Sequence, residues 1–184
     1  MEPRFAILAV CTANICRSPF IEAVLRDRLD REHFEVASAG VRGWTDHPMD
    51  AMSAMELMRF GLEPGTFRSH PLDDYFIDSA SLVLTATTAH RASILGSSPH
   101  ALRRVFTLLE FAQLVSVVEC DGGPAELVAE AARFRNRAKQ ELDIADPYRR
   151  KPAVYRAAAE QMHAACVTVA DHLNVAARSA AVRS

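Results

Sequence analysis

Residues 6–25 read AILAVCTANICRSPFIEAVL, and this stretch decides the fold. Ala6 to Val10 are apolar without a break, the pattern of a strand buried on both faces. Beyond Pro19, the residues Ile21, Val24, Leu25 and then Leu29 recur at helical spacing. Pro19 suits the first turn of that helix, where no backbone donor is needed. The polar turn CTANICRS therefore lies between the carboxyl end of a strand and the N-terminus of a helix.

The same alternation continues outward. FEVASAG reads as a second strand, PMDAMSAMELMRFGL as a helix stopped by Gly61, and ASLVLTAT as a third strand. TAHRASIL is a short helix and RRVFTL a fourth strand. LEFAQLVSVV and AELVAEAARFRNRAKQ read as two helices joined by CDGGP, the second with an arginine-rich outer face of Arg133, Arg135 and Arg137. A long last helix starts near Pro152, with Val154, Ala158, Met162, Cys166, Val169 and Leu173 at helical spacing. Strands alternating with helices predict an α/β fold: a twisted, mostly parallel four-stranded sheet with helices on both faces, three layers in all. One domain is expected over 1–176, with a helical insertion at about 99–143 and a frayed tail at 177–184.

The bulk properties agree with a soluble domain. The chain has 184 residues, 49% apolar and 24% charged, with a formal net charge of −2. That balance gives no pull toward nucleic acid or an anionic membrane. No window approaches the roughly 18 uninterrupted apolar residues of a membrane span, so no membrane insertion is expected. The run from Phe5 to Val10 is too short for a signal peptide core. Cys11, Cys16, Cys120 and Cys166 form neither a disulfide framework nor a metal spacing, which favours free thiols in a reducing cytoplasm. The seven histidines show no metal spacing and read as surface or loop residues, with His47 near Trp44.

Chemistry is expected in the turn. A helix N-terminus presents unpaired N–H groups and a favourable dipole, which suits a phosphate-sized anion. Arg17 adds a planar fork able to grip two oxygens. The same field acts on Cys11 and should favour its thiolate. A nucleophile and an oxyanion cradle in one loop describe phosphoryl transfer to sulfur.

VCTANICRSP resembles the signature of the low-molecular-weight protein tyrosine phosphatases, V-C-x-G-N-I-C-R-S-P. The family's usual glycine is Ala13 here, which fits without strain only at negative φ. SAGVRGWTDHPMDAMSA follows the family order after strand two, and ADPYRR matches its late acid motif. The resemblance implies a metal-independent, cofactor-free hydrolysis of phosphotyrosine in proteins through a phosphocysteine. Cys11 is then the nucleophile, Arg17 the oxyanion grip and Asp146 the general acid. Thr12, Ala13, Asn14, Ile15, Cys16 and Ser18 form the binding loop, with phosphate or another oxyanion as its ligand. Ser18 bonds the thiolate and Asn14 shapes the loop in the left-handed region. Trp44 and Tyr148 form aromatic walls that admit a phenyl ring. The resemblance also implies a reversible disulfide between Cys11 and Cys16 under oxidation.

Related readings share the loop. Arsenate reductases need shuttle cysteines, typically near strand three, where this chain has LVLTATTAHRASIL. Protein-arginine phosphatases usually carry threonine at the position of Ile15. A weak phosphate-binding regulator would have no use for Asp146.

Overall fold

The computed structural model describes residues 4–139 and 141–181. Four strands, β1 (Phe5–Cys11), β2 (Phe34–Gly40), β3 (Leu82–Thr85) and β4 (Val105–Thr107), form one sheet in the order β2-β1-β3-β4. Every pairing is parallel, with Cys11 opposite Gly40, Val10 opposite Thr85 and Val83 opposite Val105. The chain leaves β1 for β2 on one side and reaches β3 on the other. The carboxyl end of β1 thus sits where the strand order reverses, the usual place for a ligand crevice in an open α/β sheet.

The apolar run of β1 is explained by its two faces. Ile7 and Ala9 join one core, and Leu8 and Val10 join the other. The larger core is covered by α1 (Arg17–Arg28), α5 (Leu108–Val115) and α7 (Pro152–Ala181), with α2 (Ala51–Met58) and α6 (Pro124–Arg133) against α7. The smaller core takes Ile77 from α3 (Asp74–Ser79) and Ile94 from α4 (Thr88–Ser97). Met162, Cys166, Val169 and Leu173 lie on the buried stripe of α7, as their spacing predicts. Burial of each large apolar side chain there contributes roughly 1.5–3 kcal/mol.

Several details differ from the sequence expectation. The segment 99–143 includes β4 and α5, so much of it belongs to the sheet and the larger core rather than lying outside them. α5 begins at a capping box formed by Thr107 and Glu110. The tail expected over 177–184 is helical as far as Ala181, and Ala177 is buried; residues 182–184 lie outside the described residues. α6 ends at Arg133, and Arg135 turns inward. Its guanidinium stacks 4.2 Å from the Phe106 ring centre and donates to the carbonyls of Leu102 and Val105. The predicted solvated arginine face therefore loses its middle member. The helix α3 has only six residues, set among polar turn formers, and is fixed by Asp73 accepting the N–H of Phe76. No helix among the described residues is long and apolar enough to cross a membrane.

Candidate active site

The loop after β1 is held from behind. The carbonyls of Cys11, Thr12, Ala13 and Ile15 accept from the N–H groups of Val41, Arg42, Trp44 and Asp50 at 2.8–3.3 Å. In a planar trans peptide the next residue's N–H points opposite to the carbonyl. The amides of Thr12, Ala13, Asn14 and Cys16 are therefore turned away from that wall, into a concave nest suited to an anion. α1 continues the same preference, having no side-chain N-cap and no acidic residue in its first turn.

The close approach of loop and wall requires Gly40. A Cβ there would stand 2.7 Å from the Thr12 carbonyl oxygen and 2.9 Å from the Ala13 carbonyl carbon. Asn14 takes φ 57°, the left-handed conformation expected for it. Ala13 is not among the described residues with positive φ, so alanine fits this loop without backbone strain.

Beneath the loop runs a buried polar chain. Asn14 Nδ2 donates to Ser18 Oγ at 2.9 Å and to Ser38 Oγ at 2.8 Å, while its Oδ1 accepts the His70 N–H at 2.8 Å. Ser38 Oγ donates in turn to the Glu22 carboxylate. Burial pushes the Glu22 carboxyl up, against the opposing pull of Ser38 and Arg26. Ser18 accepts from Asn14, which leaves its own hydrogen for Cys11 Sγ at 3.0 Å, with the Ala39 carbonyl as a longer alternative at 3.4 Å. Ser18 and Asn14 thus lie under Cys11 Sγ, supporting it.

Arg17 is 4% exposed. Its Nη1 donates to the Ile144 carbonyl at 3.1 Å, and its Nη2 meets Asp146 at 2.9 Å and Thr12 Oγ1 at 3.4 Å. Its buried Nε has no partner among the described residues, leaving one donor for an oxyanion. Asp146 is half exposed, and its Oδ1 accepts the Tyr148 N–H at 3.2 Å. Two ties hold this acid segment. The Ile144 N–H bonds the Ala86 carbonyl beyond β3, and the Arg149 N–H bonds the Tyr155 hydroxyl on α7.

These residues line one cavity of about 320 Å³: Cys11, Thr12, Ala13, Ile15, Cys16 and Arg17 at its base, Arg42, Trp44, Asp146 and Tyr148 above. The Trp44 and Tyr148 rings stand 6.1 Å apart and nearly perpendicular, and His47 packs against Trp44 at 5.0 Å. Two larger hollows, of about 670 and 610 Å³, lie elsewhere on the surface and contain no cysteine. Size alone would favour them, but convergent chemistry favours the smaller one. Burial holds the Cys16 thiol up at about 12, helped by the charges of Asp50 and Asp146 and opposed by a hydrogen bond with Ser53. All four cysteines are free thiols, and Cys166 lies in the core.

The sequence reading missed Arg42, Ser38, Glu22 and His90. His90, expected as a surface or loop histidine, is 7% exposed and contacts Thr12. Arg68 pairs with Asp46 at 3.4 Å.

Residues 6–122 match the family model for low molecular weight phosphotyrosine protein phosphatase. A protein-arginine-phosphatase of Geobacillus stearothermophilus is 32% identical over 92% of this chain and 96% of its own length. A probable low molecular weight protein-tyrosine-phosphatase, EpsP of Ralstonia nicotianae, is 28% identical over 85% of this chain and 87% of its own. The solved structure of the YwlE arginine phosphatase from Geobacillus stearothermophilus superposes with a TM-score of 0.72 at 31% identity, covering 92% of each chain.

Proposed function

This chain belongs to the low molecular weight phosphotyrosine protein phosphatase family, and from that premise we propose that it hydrolyses phosphotyrosine in protein substrates through a phosphocysteine on Cys11. The reading is carried by one observation: Cys11, Arg17 and Asp146 meet in a single slot walled by Trp44 and Tyr148. The phosphate seats among the loop amides, with the free Nε of Arg17 on one of its oxygens. Cys11 Sγ attacks phosphorus, the phosphorus–oxygen bond to the phenol breaks, and protonated Asp146 gives its proton to the leaving oxygen. Water then attacks the phosphocysteine, Asp146 takes a proton from it, and orthophosphate leaves. Proton transfer of this kind contributes roughly 10²–10⁴-fold. With Nη1 held by the Ile144 carbonyl, the guanidinium stays at the loop when Asp146 turns to the substrate.

Tyrosine is favoured by the walls and by Ile15. Two aromatic rings suit a flat phenyl group, and the apolar Ile15 side chain offers a guanidinium no hydrogen-bond acceptor. A phosphoserine is too short for its phosphate to reach the base between these rings. Phosphoarginine is the second reading, favoured by the likeness over nearly the whole chain to a protein named for that activity. We further place the enzyme in a reducing cytoplasm, where its four free thiols persist.

Turnover of matched peptides carrying phosphotyrosine, phosphoarginine or phosphoserine tests this. Phosphotyrosine should be cleaved with the highest kcat/KM, and Cys11→Ser should abolish cleavage. A preference for phosphoarginine would overturn the tyrosine assignment. Equal rates for wild type and Cys11→Ser would overturn the mechanism.

A further inference from the structure

We propose that His90 is a positioning residue of the oxyanion grip, acting on Arg17 through the hydroxyl of Thr12. The inference deepens the phosphatase reading and rests on it. His90 projects from the first turn of α4 and lies 78 residues from Thr12 in sequence. Its Nε2 stands 2.9 Å from Thr12 Oγ1, and its Nδ1 stands 2.8 Å from Thr87 Oγ1. Thr87 is itself fixed as the N-cap of α4, accepting the His90 N–H. The imidazole is thus clamped at both nitrogens, one bond reaching into the catalytic loop and the other into a helix cap.

Thr12 Oγ1 also accepts from Arg17 Nη2 at 3.4 Å. Of the three contacts on the two terminal nitrogens of Arg17, Ile144 and Thr12 are the ones that do not involve the acid. During the reaction Asp146 must serve the leaving oxygen, and its hold on Nη2 slackens. Thr12 then retains Nη2, and His90 fixes where Thr12 Oγ1 stands. Burial, with Arg17 beside it, lowers the His90 pKa to about 4, so the ring is neutral at physiological pH. A neutral ring has one donor and one acceptor nitrogen, which suits two hydroxyl partners that can each take either part. Without this clamp, Thr12 is free to change rotamer and Arg17 to lean toward Asp146. The oxyanion then loses part of its grip in the ground state and in the transition state.

The experiment is a double-mutant cycle read by orthophosphate binding. Trp44 is the single tryptophan and lines the slot, so its fluorescence reports occupancy directly. Thr12→Val and His90→Phe should each weaken orthophosphate about tenfold, the loss of one hydrogen bond to a charged grip. They should lower kcat/KM for p-nitrophenyl phosphate by a similar factor. Because the two residues act in one chain, the double variant should bind within threefold of the weaker single variant. Thr12→Ser, which keeps the hydroxyl, and His90→Gln, which keeps a polar side chain facing it, should stay within threefold of wild type. Wild-type affinity in either apolar variant, or a hundredfold loss in the double, overturns the proposal. If His90→Phe does not fold, His90→Ala decides: a loss there matching that of Thr12→Val supports the proposal, and wild-type orthophosphate affinity overturns it. A wild type that binds orthophosphate but hydrolyses no phosphopeptide refutes the phosphatase reading and leaves the positioning claim to the binding arm.

Discussion

Replacing Asn14 by alanine tests whether the polar chain beneath the loop stabilises both fold and site. The side chain makes three hydrogen bonds, to Ser18, to Ser38 and from the His70 N–H, all at 2.8–2.9 Å. Each contributes about 1 kcal/mol net. Alanine must also adopt φ near 57°, which costs about 1 kcal/mol more. The sum is about 3–4 kcal/mol, a large fraction of the roughly 5–15 kcal/mol that holds a domain together. Asn14→Gly loses the same bonds but avoids the backbone cost, so it should recover about 1 kcal/mol. Urea unfolding followed by fluorescence gives these differences. Catalysis should fall too, since Ser18 becomes free to turn from Cys11 Sγ to the Ala39 carbonyl 3.4 Å away. A drop of about tenfold in kcat/KM for p-nitrophenyl phosphate is expected in both variants, equivalent to one lost hydrogen bond. A stability loss below 1 kcal/mol for Asn14→Ala would refute the network's structural role. Equal stability of the alanine and glycine variants would refute the backbone part alone.

Other substitutions and conditions carry their own expectations. Asp146→Asn should slow phosphotyrosine cleavage by roughly 10²–10⁴-fold and slow p-nitrophenyl phosphate far less, because the better leaving group needs less proton delivery; equal losses on both substrates would remove Asp146 from the acid role. Gly40→Ala pushes a Cβ to within 2.7 Å of the Thr12 carbonyl and should cost about 1–3 kcal/mol or more, read by urea unfolding, with loss of activity. His90 has its folded pKa lowered to about 4 from an ordinary 6.5, so its contribution is fully present above pH 6.5 and is lost as pH falls toward 4. His90→Gln should remove on the order of 2 kcal/mol of that acid sensitivity, visible in stability measured from pH 7 to pH 4. With its thiol held up at about 12, Cys16 is protonated at neutral pH, so closure of a Cys11–Cys16 disulfide after peroxide should accelerate about tenfold per pH unit between pH 7 and 9; a pH-independent rate would exclude Cys16 as the attacking thiol.

The parts of this site that lie together in the chain were legible in the sequence. Strand, polar turn and proline-started helix locate Cys11 and Arg17, and the left-handed Asn14 follows from its side chain. Asp146 was legible only through resemblance, because a lone Asp-Pro-Tyr carries no chemistry until the sheet brings it beside Arg17. His90 was not legible at all. Its meaning depends on the parallel placement of β1 beside β3, which delivers α4 next to the loop. Arg135 shows the same limit in the core. Grouped with Arg133 and Arg137 as one solvated face, it stands two residues from each, which on a helix is the opposite side, and the chain turns at the end of α6 and presents it to Phe106 and Glu110. The segment 99–143 looked additional although RRVFTL within it read as the fourth strand, because the periodicity of LEFAQLVSVV marks a helix without showing that it packs against α7 in the larger core.

The grip and the acid are built from different ends of the chain, and this gives the enzyme two separable dials. Residues 11–50 make the concave loop and its supporting wall, whereas residues 144–155 hang Asp146, the proposed proton donor, from β3 and α7 by a pair of backbone tethers. Drift in the later segment can retune which leaving groups are accepted while the phosphate seat stays intact. Redirecting the same chemistry to new phosphorylated side chains therefore calls for changes on both sides of the slot, at Ile15 and Trp44 as well as at Tyr148.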